Sequence, residues 1–163
     1  MVGALFSWVA PVISSMNSQN PSFAQEIERS FARQTIMTLI GAELSRVDPG
    51  VVEITLPYRA DLAQQHGYLH AGIVTTIADS ACGYAAFSLM PAGSEVLSVE
   101  FKVNLLRPAR GEKFVARAEV IKAGRTLTVV RADVFGIGGN GDKELVATMQ
   151  GTMISCAKIL TKA

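Results

Sequence analysis

The segment HGYLHAGIVTTIADSACGYAAF, residues 66–87, decides the fold that we predict for this chain. Its apolar residues recur at three- and four-residue steps and cover most of its circumference: Ile73, Val74, Ile77, Ala78, Ala81, Cys82, Tyr84, Ala85 and Phe87. That spacing predicts a helix from Ala71 to Leu89, about 28 Å long at 1.5 Å per residue. Because the helix is apolar almost all round, we expect it to lie at the centre of the molecule.

Asp79 interrupts this apolar helix. It is the only Asp, Glu, Lys or Arg between Leu62 and Ser94. An ionised carboxylate among apolar groups is costly unless something compensates it. One interpretation is an ion pair with Arg59 or Lys102, and the other is a functional carboxylate.

Strand patterns flank the helix. Alternating residues predict strands at 51–58, 95–106, 113–122, 126–135 and 144–154. Short connectors rich in turn-forming residues predict that the last four strands pair as antiparallel hairpins. Before them, a helical pattern runs from Phe23 to Ile40, with Ser22 and Gln25 at capping-box spacing and Gly41 at its end. The order predicts an α+β fold in which one sheet curls around the long helix.

Composition limits the classes of function. The chain has 163 residues, 49% of them hydrophobic and 18% charged, and a net charge of +1. This predicts one domain, residues 16–163, and gives no electrostatic support for nucleic-acid binding. The low charge fraction favours burial of surface between subunits. Two cysteines, Cys82 and Cys156, form no disulfide framework, so we expect reduced thiols and a cytoplasmic protein.

Residues 1–15 are interpreted as an N-terminal extension, because Met16 offers a second plausible start. The apolar run is shorter than the roughly 18–20 residues that span a bilayer. It also lacks the basic region of a secretory signal. A cleaved signal or a membrane-contacting segment remains the alternative for this stretch.

Three motifs have simpler explanations than the chemistry they suggest. GIGGNG, residues 136–141, matches a dinucleotide fingerprint but precedes a strand, which indicates a hairpin turn. His66 and His70 have the spacing of helical zinc ligands, but Gly67 lies between them and no further histidine exists, so we predict no metal site. Neither cysteine has an adjacent base in sequence, which disfavours a nucleophile triad.

His70, Ala71 and Gly72 lie where the loop becomes the long helix. The first N–H groups of a helix lack internal partners, and small residues let a ligand oxygen approach them. Asp79 is about 12 Å further along the axis at 1.5 Å per residue, too far for both features to touch one carbonyl. If the helices of two subunits ran antiparallel, the helix start of one would face Asp79 of the other. The geometry therefore predicts a site shared across a dimer interface.

The stretch QQHGYLHAGIVTTIAD, residues 64–79, resembles the signature of the hotdog-fold acyl-CoA thioesterases of the phenylacetic-acid-degradation (PaaI-like) type. Gln64 matches the family's loop amide, His70 its histidine and Asp79 its helix carboxylate. Ala71 replaces the first glycine of a pair, at a position where the family uses the backbone N–H. VLSVEFKVNLLRPARGE and KAGRT are also similar to later strands of the family, so the resemblance covers roughly residues 22–154.

The resemblance implies a sheet of five to six strands around the helix, and hydrolysis of a medium-chain or aryl acyl-CoA. The Ala71 N–H, with Gly72, would hold the thioester oxygen, and Asp79 from the partner subunit would be general base or nucleophile. Gln64 would orient water or thioester, and His70 would shape the loop. Ser98 either assists or is a solvent-side strand serine.

For binding, the resemblance implies no separate cofactor, because coenzyme A is part of the substrate, and it implies a homodimer that pairs into a homotetramer. The basic residues at two predicted turns are either phosphate contacts or solvated loop charges: Arg107, Arg110, Lys122 and Arg125. Ile77 and Tyr84 are either the wall of an acyl pocket or plain core.

Two other functions stay open at this point. A hotdog hydratase or dehydratase would pair His70 with Asp79, although the Gln64 and His-Ala-Gly context favours hydrolysis. A non-catalytic acyl-CoA sensor would be expected to carry a DNA-binding module, and neither terminus has the length or charge for one.

Overall fold

The computed structural model describes residues 16–157, in which two short helices precede an antiparallel sheet and a long helix. In chain order the elements are α1 (Phe23–Ala32), α2 (Thr35–Ile40), β1 (Glu43–Asp48), β2 (Val51–Pro57), a 3-10 turn (Ala60–Leu62), α3 (Ala71–Phe87), β3 (Ser94–Leu105), β4 (Lys113–Ala123), β5 (Leu127–Ile137) and β6 (Lys143–Ala157).

One six-stranded sheet wraps around α3. Its strand order is β1-β2-β4-β5-β6-β3, and every neighbouring pair is antiparallel. Helix α3 contacts strands β2 to β6, and residues on several of its sides are fully buried, including Ile77, Ala81 and Cys82. The α+β prediction of a sheet around a central apolar helix is confirmed. The helix ends at Phe87, two residues before the predicted end, which is within the usual scatter of helix boundaries.

The prediction that β3 and β4 form a hairpin is wrong. Among the strands of residues 16–157, β3 pairs only with β6 and lies at one edge of the sheet, whereas β4 lies between β2 and β5. The connector between β3 and β4 makes hydrogen bonds with other parts of the chain. The Leu69 N–H donates to the Ala109 carbonyl (3.1 Å), and the Glu112 N–H donates to the Ile137 carbonyl (2.8 Å). Turn-forming residues permit a reversal, but the partners of a strand depend on the burial of its whole face. The other two predicted hairpins, β4–β5 and β5–β6, are present.

The N-terminal helical pattern is two helices rather than one. The helical conformation is interrupted between α1 and α2 at Gln34, whose backbone is extended. Ser22 is the N-cap of α1 but its side chain makes no capping hydrogen bond, so the predicted capping box is absent. Gly41 ends α2 in the left-handed conformation (φ 76°), as its position predicted.

Strand β1 was not predicted from the sequence. It is a six-residue edge strand whose pairing with β2 shifts register between Leu44 and Arg46. That irregularity interrupts the period-2 alternation from which a strand is recognised.

Strand β3 is a long edge strand with an irregularity of its own. Its pairing with β6 shifts register between Ser98 and Glu100. Four of its apolar side chains are between 44% and 56% exposed: Leu97, Val99, Phe101 and Leu105. An edge strand of this length with apolar side chains is a surface that another chain can pair with.

The proposed extension, residues 1–15, lies outside the described residues. Within residues 16–157 no helix combines the length and apolarity needed to cross a bilayer.

Candidate active site

The start of α3 is capped by His70. The His70 Nδ1 atom accepts a hydrogen bond from the Gly72 N–H (2.9 Å), so the ring carries its proton on Nε2 when neutral. The Gly72 N–H is therefore occupied, which removes it from the predicted oxyanion contacts. The Ala71 N–H has no acceptor within residues 16–157, and it is the donor left for a ligand.

Gln64 lies in the loop that leads to this helix start. Its side-chain oxygen accepts a hydrogen bond from the His66 N–H, and its backbone N–H donates to the Tyr68 carbonyl (2.8 Å). The Tyr58 hydroxyl holds the same loop by donating to the Gly67 carbonyl (2.9 Å). The loop thus fixes Gln64 beside the first turn of α3.

Gln64 and Ala71 share a cavity of about 340 Å³ at the start of α3. Its other walls are mostly apolar and include Leu69, Val74, Leu105, Pro108 and Val146. Arg107 lies at this cavity, and Arg110 lies beside it, over the ring of Tyr68 (4.9 Å to the centroid) with a hydrogen bond to its hydroxyl (2.6 Å). The cavity therefore combines a backbone donor without an acceptor in residues 16–157, an amide side chain and the cation of Arg107, and the cation of Arg110 lies beside it.

Asp79 lies in a different groove, on the same helix. It is half-buried, and its Oδ1 atom accepts a hydrogen bond from the Ser98 hydroxyl on β3 (2.7 Å). Arg59 forms its ion pair with Asp61 instead (2.6 Å), and among the described residues Lys102 forms no ion pair with Asp79. The carboxylate is thus held by a hydroxyl rather than neutralised by a cation. Ser98 is an exposed strand residue whose hydroxyl is nevertheless directed at Asp79.

The two halves of the predicted site do not meet within one chain. Ala71 and Asp79 are eight residues apart on one helix, about 12 Å along its axis, and they line separate cavities. Gln64 and Ala71 are brought together, and Asp79 and Ser98 are brought together. This is the separation expected if the two halves of one site come from two copies of the chain.

The cysteines and histidines support neither a nucleophile nor a metal site in the described part of the chain. Cys82 is fully buried in α3, and burial, followed by the charge of Asp79, raises the pKa of its thiol. A thiol kept neutral is a poor nucleophile. Within residues 16–157 no three His, Cys, Asp or Glu side chains gather closely enough to hold a metal ion.

The four basic residues proposed for coenzyme A do not form one cluster. Arg107 and Arg110 lie at the cavity that contains Ala71. Arg125, in the β4–β5 turn next to Lys122, lies near Ala86 and Met90 at the opposite end of α3. Within one chain, only the first pair is placed to meet a ligand at the helix start.

Sequence reasoning missed a polar cluster beside Asp79. The Tyr84 hydroxyl accepts a hydrogen bond from Gln34 Nε2 (2.8 Å) and donates to Ser30 Oγ (3.2 Å). The break between α1 and α2 delivers Gln34 to this point. No glycine or proline marks this interruption of the helix, so the sequence alone does not predict it.

Of the two residues proposed for an acyl pocket, Tyr84 lines the groove that contains Asp79, whereas Ile77 is a fully buried core residue.

Comparison with known proteins agrees with this fold. Residues 66–141 match the family model described as the thioesterase superfamily. A crystal structure of a thioesterase family protein from Silicibacter pomeroyi is 52% identical, with a TM-score of 0.81, and covers 83% of this chain and 99% of its own. The PaaI protein of the Escherichia coli phenylacetic acid degradation operon is 20% identical, with a TM-score of 0.74, covers 86% of this chain and 97% of its own, and shows the fold alone.

A curated protein of Deinococcus radiodurans that carries a provisional esterase name is 33% identical over 127 residues, which are 76% of this chain and 77% of the relative. The matched segment of the family model begins in the loop before α3 and ends beyond β5, so it contains both Ala71 and Asp79. The chain therefore belongs to the thioesterase superfamily and has its hotdog fold.

Proposed function

We propose that this chain is an acyl-CoA thioesterase that hydrolyses a medium-chain or aryl acyl-CoA to the free acid and CoA. Each site takes the start of α3 from one subunit and Asp79 from its partner. One observation carries the proposal. Among residues 16–157, a helix-start N–H without an acceptor and a half-buried carboxylate without a cation partner lie about 12 Å apart on one helix, each in its own cavity.

The chemistry follows from these groups. The Ala71 N–H donates to the thioester carbonyl oxygen and stabilises the negative charge that develops there. Asp79 either takes a proton from the attacking water or attacks the carbonyl carbon itself, with water then hydrolysing the anhydride. In both routes the C–S bond breaks and the CoA thiolate is protonated. Ser98 holds the carboxylate in place, and Gln64 orients the water or the thioester.

The exposed β3 edge supports a dimer. Its backbone groups on the outer side have no partner strand within the described chain, and apolar side chains along it, Phe101 among them, are about half exposed. Pairing two copies of β3 would satisfy the backbone groups and cover the apolar surface. Since β3 also holds Ser98 and Leu105, the dimer interface would pass between the two cavities.

Coenzyme A would contact the protein at the helix-start cavity. Arg107 and Arg110 are exposed cations beside it, and guanidinium groups suit phosphate oxygens. Arg107 also forms an ion pair with Glu144 (3.2 Å), which fixes its position at the cavity mouth. We include Lys122 and Arg125 only as contacts that another subunit would supply.

Release of free thiol tests the proposal. The wild-type protein is incubated with a panel of medium-chain and aryl acyl-CoAs, and Asp79→Asn is compared with it. We expect the wild type to release CoA and Asp79→Asn, which keeps the shape but cannot act as base or nucleophile, to lose at least a hundredfold in kcat. Full activity in Asp79→Asn would refute the role of the carboxylate, and no thiol release across the panel would refute the function.

A further inference from the structure

A groove of about 240 Å³ extends from Asp79 along α3 and ends at the Tyr84 hydroxyl. Its floor is a side of α3 that includes Ser80 and Gly83. Its walls come from α1, from the α1–α2 junction and from the first residues of β3: Ser30, Gln34, Glu95, Val96, Leu97 and Ser98. The volume is below the roughly 300–1,000 Å³ of pockets that hold whole ligands. The groove therefore suits the small acyl part of a thioester and not coenzyme A itself.

Gly83 lies on the floor of this groove, in the middle of α3. Glycine destabilises a helix relative to alanine, so its presence here calls for a structural or functional explanation. A Cβ atom added at Gly83 would meet no atom of the described chain within 4 Å. Packing inside the chain thus does not demand the glycine, and the missing methyl group leaves room for something outside it.

The far end of the groove is polar, and the charges of Arg33 and Glu95 lie close enough to act on the Tyr84 hydroxyl. Tyr84 is only 3% exposed, and its hydroxyl joins Gln34 and Ser30. The Ser80 hydroxyl donates to Gln34 Oε1 (3.4 Å). The Ser30 hydroxyl proton and the second N–H of Gln34 have no acceptor among the described residues, so both are available to a ligand.

We infer that this groove holds the acyl group of the thioester and that its Gln34–Tyr84–Ser30 end selects acyl groups with a neutral hydrogen-bonding substituent. The inference rests on the proposed function, because it takes the thioester carbonyl to lie at Asp79. Tyr84 is five residues beyond Asp79, about 7.5 Å along the axis. A substituent about six bonds from the carbonyl carbon reaches that far, at roughly 1.25 Å of advance per bond.

The charges of the groove exclude a second carboxylate. Asp79 and Glu95 both line it, and Arg33 lies in the adjoining cleft rather than in the groove. An acyl group that ends in a carboxylate would bring a third negative charge between these two. A hydroxyl at the same position would meet free donors and an acceptor without repulsion.

Three thioesters of matched length test this selection: 6-hydroxyhexanoyl-CoA, heptanoyl-CoA and adipoyl-CoA. All three place their last heavy atom six bonds from the thioester carbonyl carbon, as a hydroxyl oxygen, a methyl carbon or a carboxylate oxygen. We expect kcat/KM for the hydroxylated substrate to exceed that for heptanoyl-CoA by about tenfold, as for one hydrogen bond to a desolvated site. Adipoyl-CoA should be the poorest of the three, and a preference for it would overturn the inference.

Two variants locate the selection in the groove. Gly83→Ala should lower kcat/KM for heptanoyl-CoA relative to acetyl-CoA at least tenfold, with a thermal midpoint no lower than that of the wild type. Tyr84→Phe should bring the ratio of kcat/KM for 6-hydroxyhexanoyl-CoA to kcat/KM for heptanoyl-CoA close to one. Ser30→Ala, which leaves the Tyr84 side chain intact, should also reduce this ratio. A purely structural role would change all substrates together and leave these ratios unaltered.

Binding separates failure of the groove from failure of the function. The S-heptyl and S-(6-hydroxyhexyl) thioethers of CoA cannot be hydrolysed, and their Kd values are measured by calorimetry for wild type and Gly83→Ala. If the wild type hydrolyses thioesters but Gly83→Ala changes no ratio, the groove assignment is overturned and the function stands. If nothing is hydrolysed but Gly83→Ala weakens S-heptyl-CoA tenfold, the groove stands without the function. If no thioester is hydrolysed and Gly83→Ala does not weaken the binding of S-heptyl-CoA, both the groove assignment and the proposed function are overturned.

Discussion

The orientation of Ser98 depends on an irregularity in strand β3. The alternation of apolar residues on β3 predicts that it faces away from Leu105 and Val103, yet all three lie on the side of α3. The register shift between Ser98 and Glu100 accounts for this, because one extra residue turns the strand over. Asp79 gains its hydrogen-bond donor from this bulge, which explains how a carboxylate without a cation is held in a half-buried position.

His70 gives the first prediction. Its imidazole accepts from the Gly72 N–H as an N-cap, and asparagine is among the best N-cap residues. His70→Asn should therefore keep the stability and most of the thioesterase activity, whereas His70→Ala should lose about 1 kcal/mol of unfolding free energy. Chemical denaturation and thiol release measure the two effects. If His70→Asn is as stable as the wild type but inactive, the result would indicate that the histidine transfers protons and would favour the hydratase interpretation.

Helix α3 serves both as the core of the fold and as the support of the site. Its apolar sides pack against strands β2 to β6, its first turn presents the Ala71 N–H, and its middle presents Asp79. Since one rigid element fixes both groups, their separation cannot be shortened within a chain. A single site that uses both groups, as proposed, would therefore need a second copy of the chain.

Replacing Ala71 by proline tests the helix-start donor. Proline is well tolerated at the first helical position, and His70 already has the extended backbone that a residue before proline prefers (ψ 137°). Ala71→Pro should fold and lose about 10²–10³ in kcat, or about 3–4 kcal/mol of transition-state stabilisation. Ala71→Ser, which keeps the N–H, is the matched control. A folded Ala71→Pro with unchanged kcat would rule out this oxyanion contact.

The whole molecule has two contrasting sheet edges. Strand β1 is short and half of its residues are partly buried, whereas β3 is twelve residues long and carries apolar side chains that are about half exposed. The asymmetry indicates one preferred edge for pairing. If two copies pair at that edge as proposed, part of the surface of each chain would lie inside the dimer, which would be consistent with the low charge fraction of the sequence.

Mixing two inactive variants tests the shared site. If each site takes Ala71 from one chain and Asp79 from the other, a heterodimer of Ala71→Pro with Asp79→Asn has one site with both defects and one intact site. A random mixture should then recover about a quarter of wild-type activity in the thiol assay, since half of the dimers are mixed and half of their sites are intact.

Subunit exchange by dilution or partial denaturation precedes this assay, and each variant alone is the control. Phe101→Lys, which places a charge on the β3 edge, should give inactive monomers by analytical ultracentrifugation and should rescue neither variant. Recovery of no activity in mixtures proven to contain heterodimers would contradict a shared site.

Stability should decrease in alkaline solution because of two groups on α3. Burial raises the pKa of the Cys82 thiol and of the Tyr84 phenol above their ordinary values of 9.0 and 10.0. Below pH 9 both groups are neutral in the folded and unfolded chains, so the full stability is present. Above pH 9 the Cys82 thiol ionises first in the unfolded chain, and above pH 10 the Tyr84 phenol does so as well. Each group then removes up to about 1.4 kcal/mol per pH unit.

Urea denaturation between pH 8 and pH 10 measures this loss. Cys82→Ala should have a shallower dependence of unfolding free energy on pH than the wild type, because only the Tyr84 contribution remains. Cys156→Ala, at a half-buried position near the end of β6, is the matched control for the removal of a thiol. An equal slope in Cys82→Ala would show that the buried thiol contributes nothing to it.

The sequence by itself determined the central helix, the lone carboxylate on it, the helix start that offers the Ala71 N–H, and the distance between them. These depend on local periodicity and on the fixed rise of a helix, which neighbouring residues specify. The resemblance of residues 64–79 to PaaI-like thioesterases added the expected family.

Only the tertiary structure decided the position of β3 at the sheet edge, the bulge that turns Ser98 toward Asp79, the capture of the Gly72 N–H by His70, and the delivery of Gln34 to Tyr84. Three of these bring together residues far apart in sequence, and the fourth depends on a side-chain rotamer. Contacts of both kinds are fixed when the core packs, because the burial of whole faces selects among pairings that local patterns permit equally.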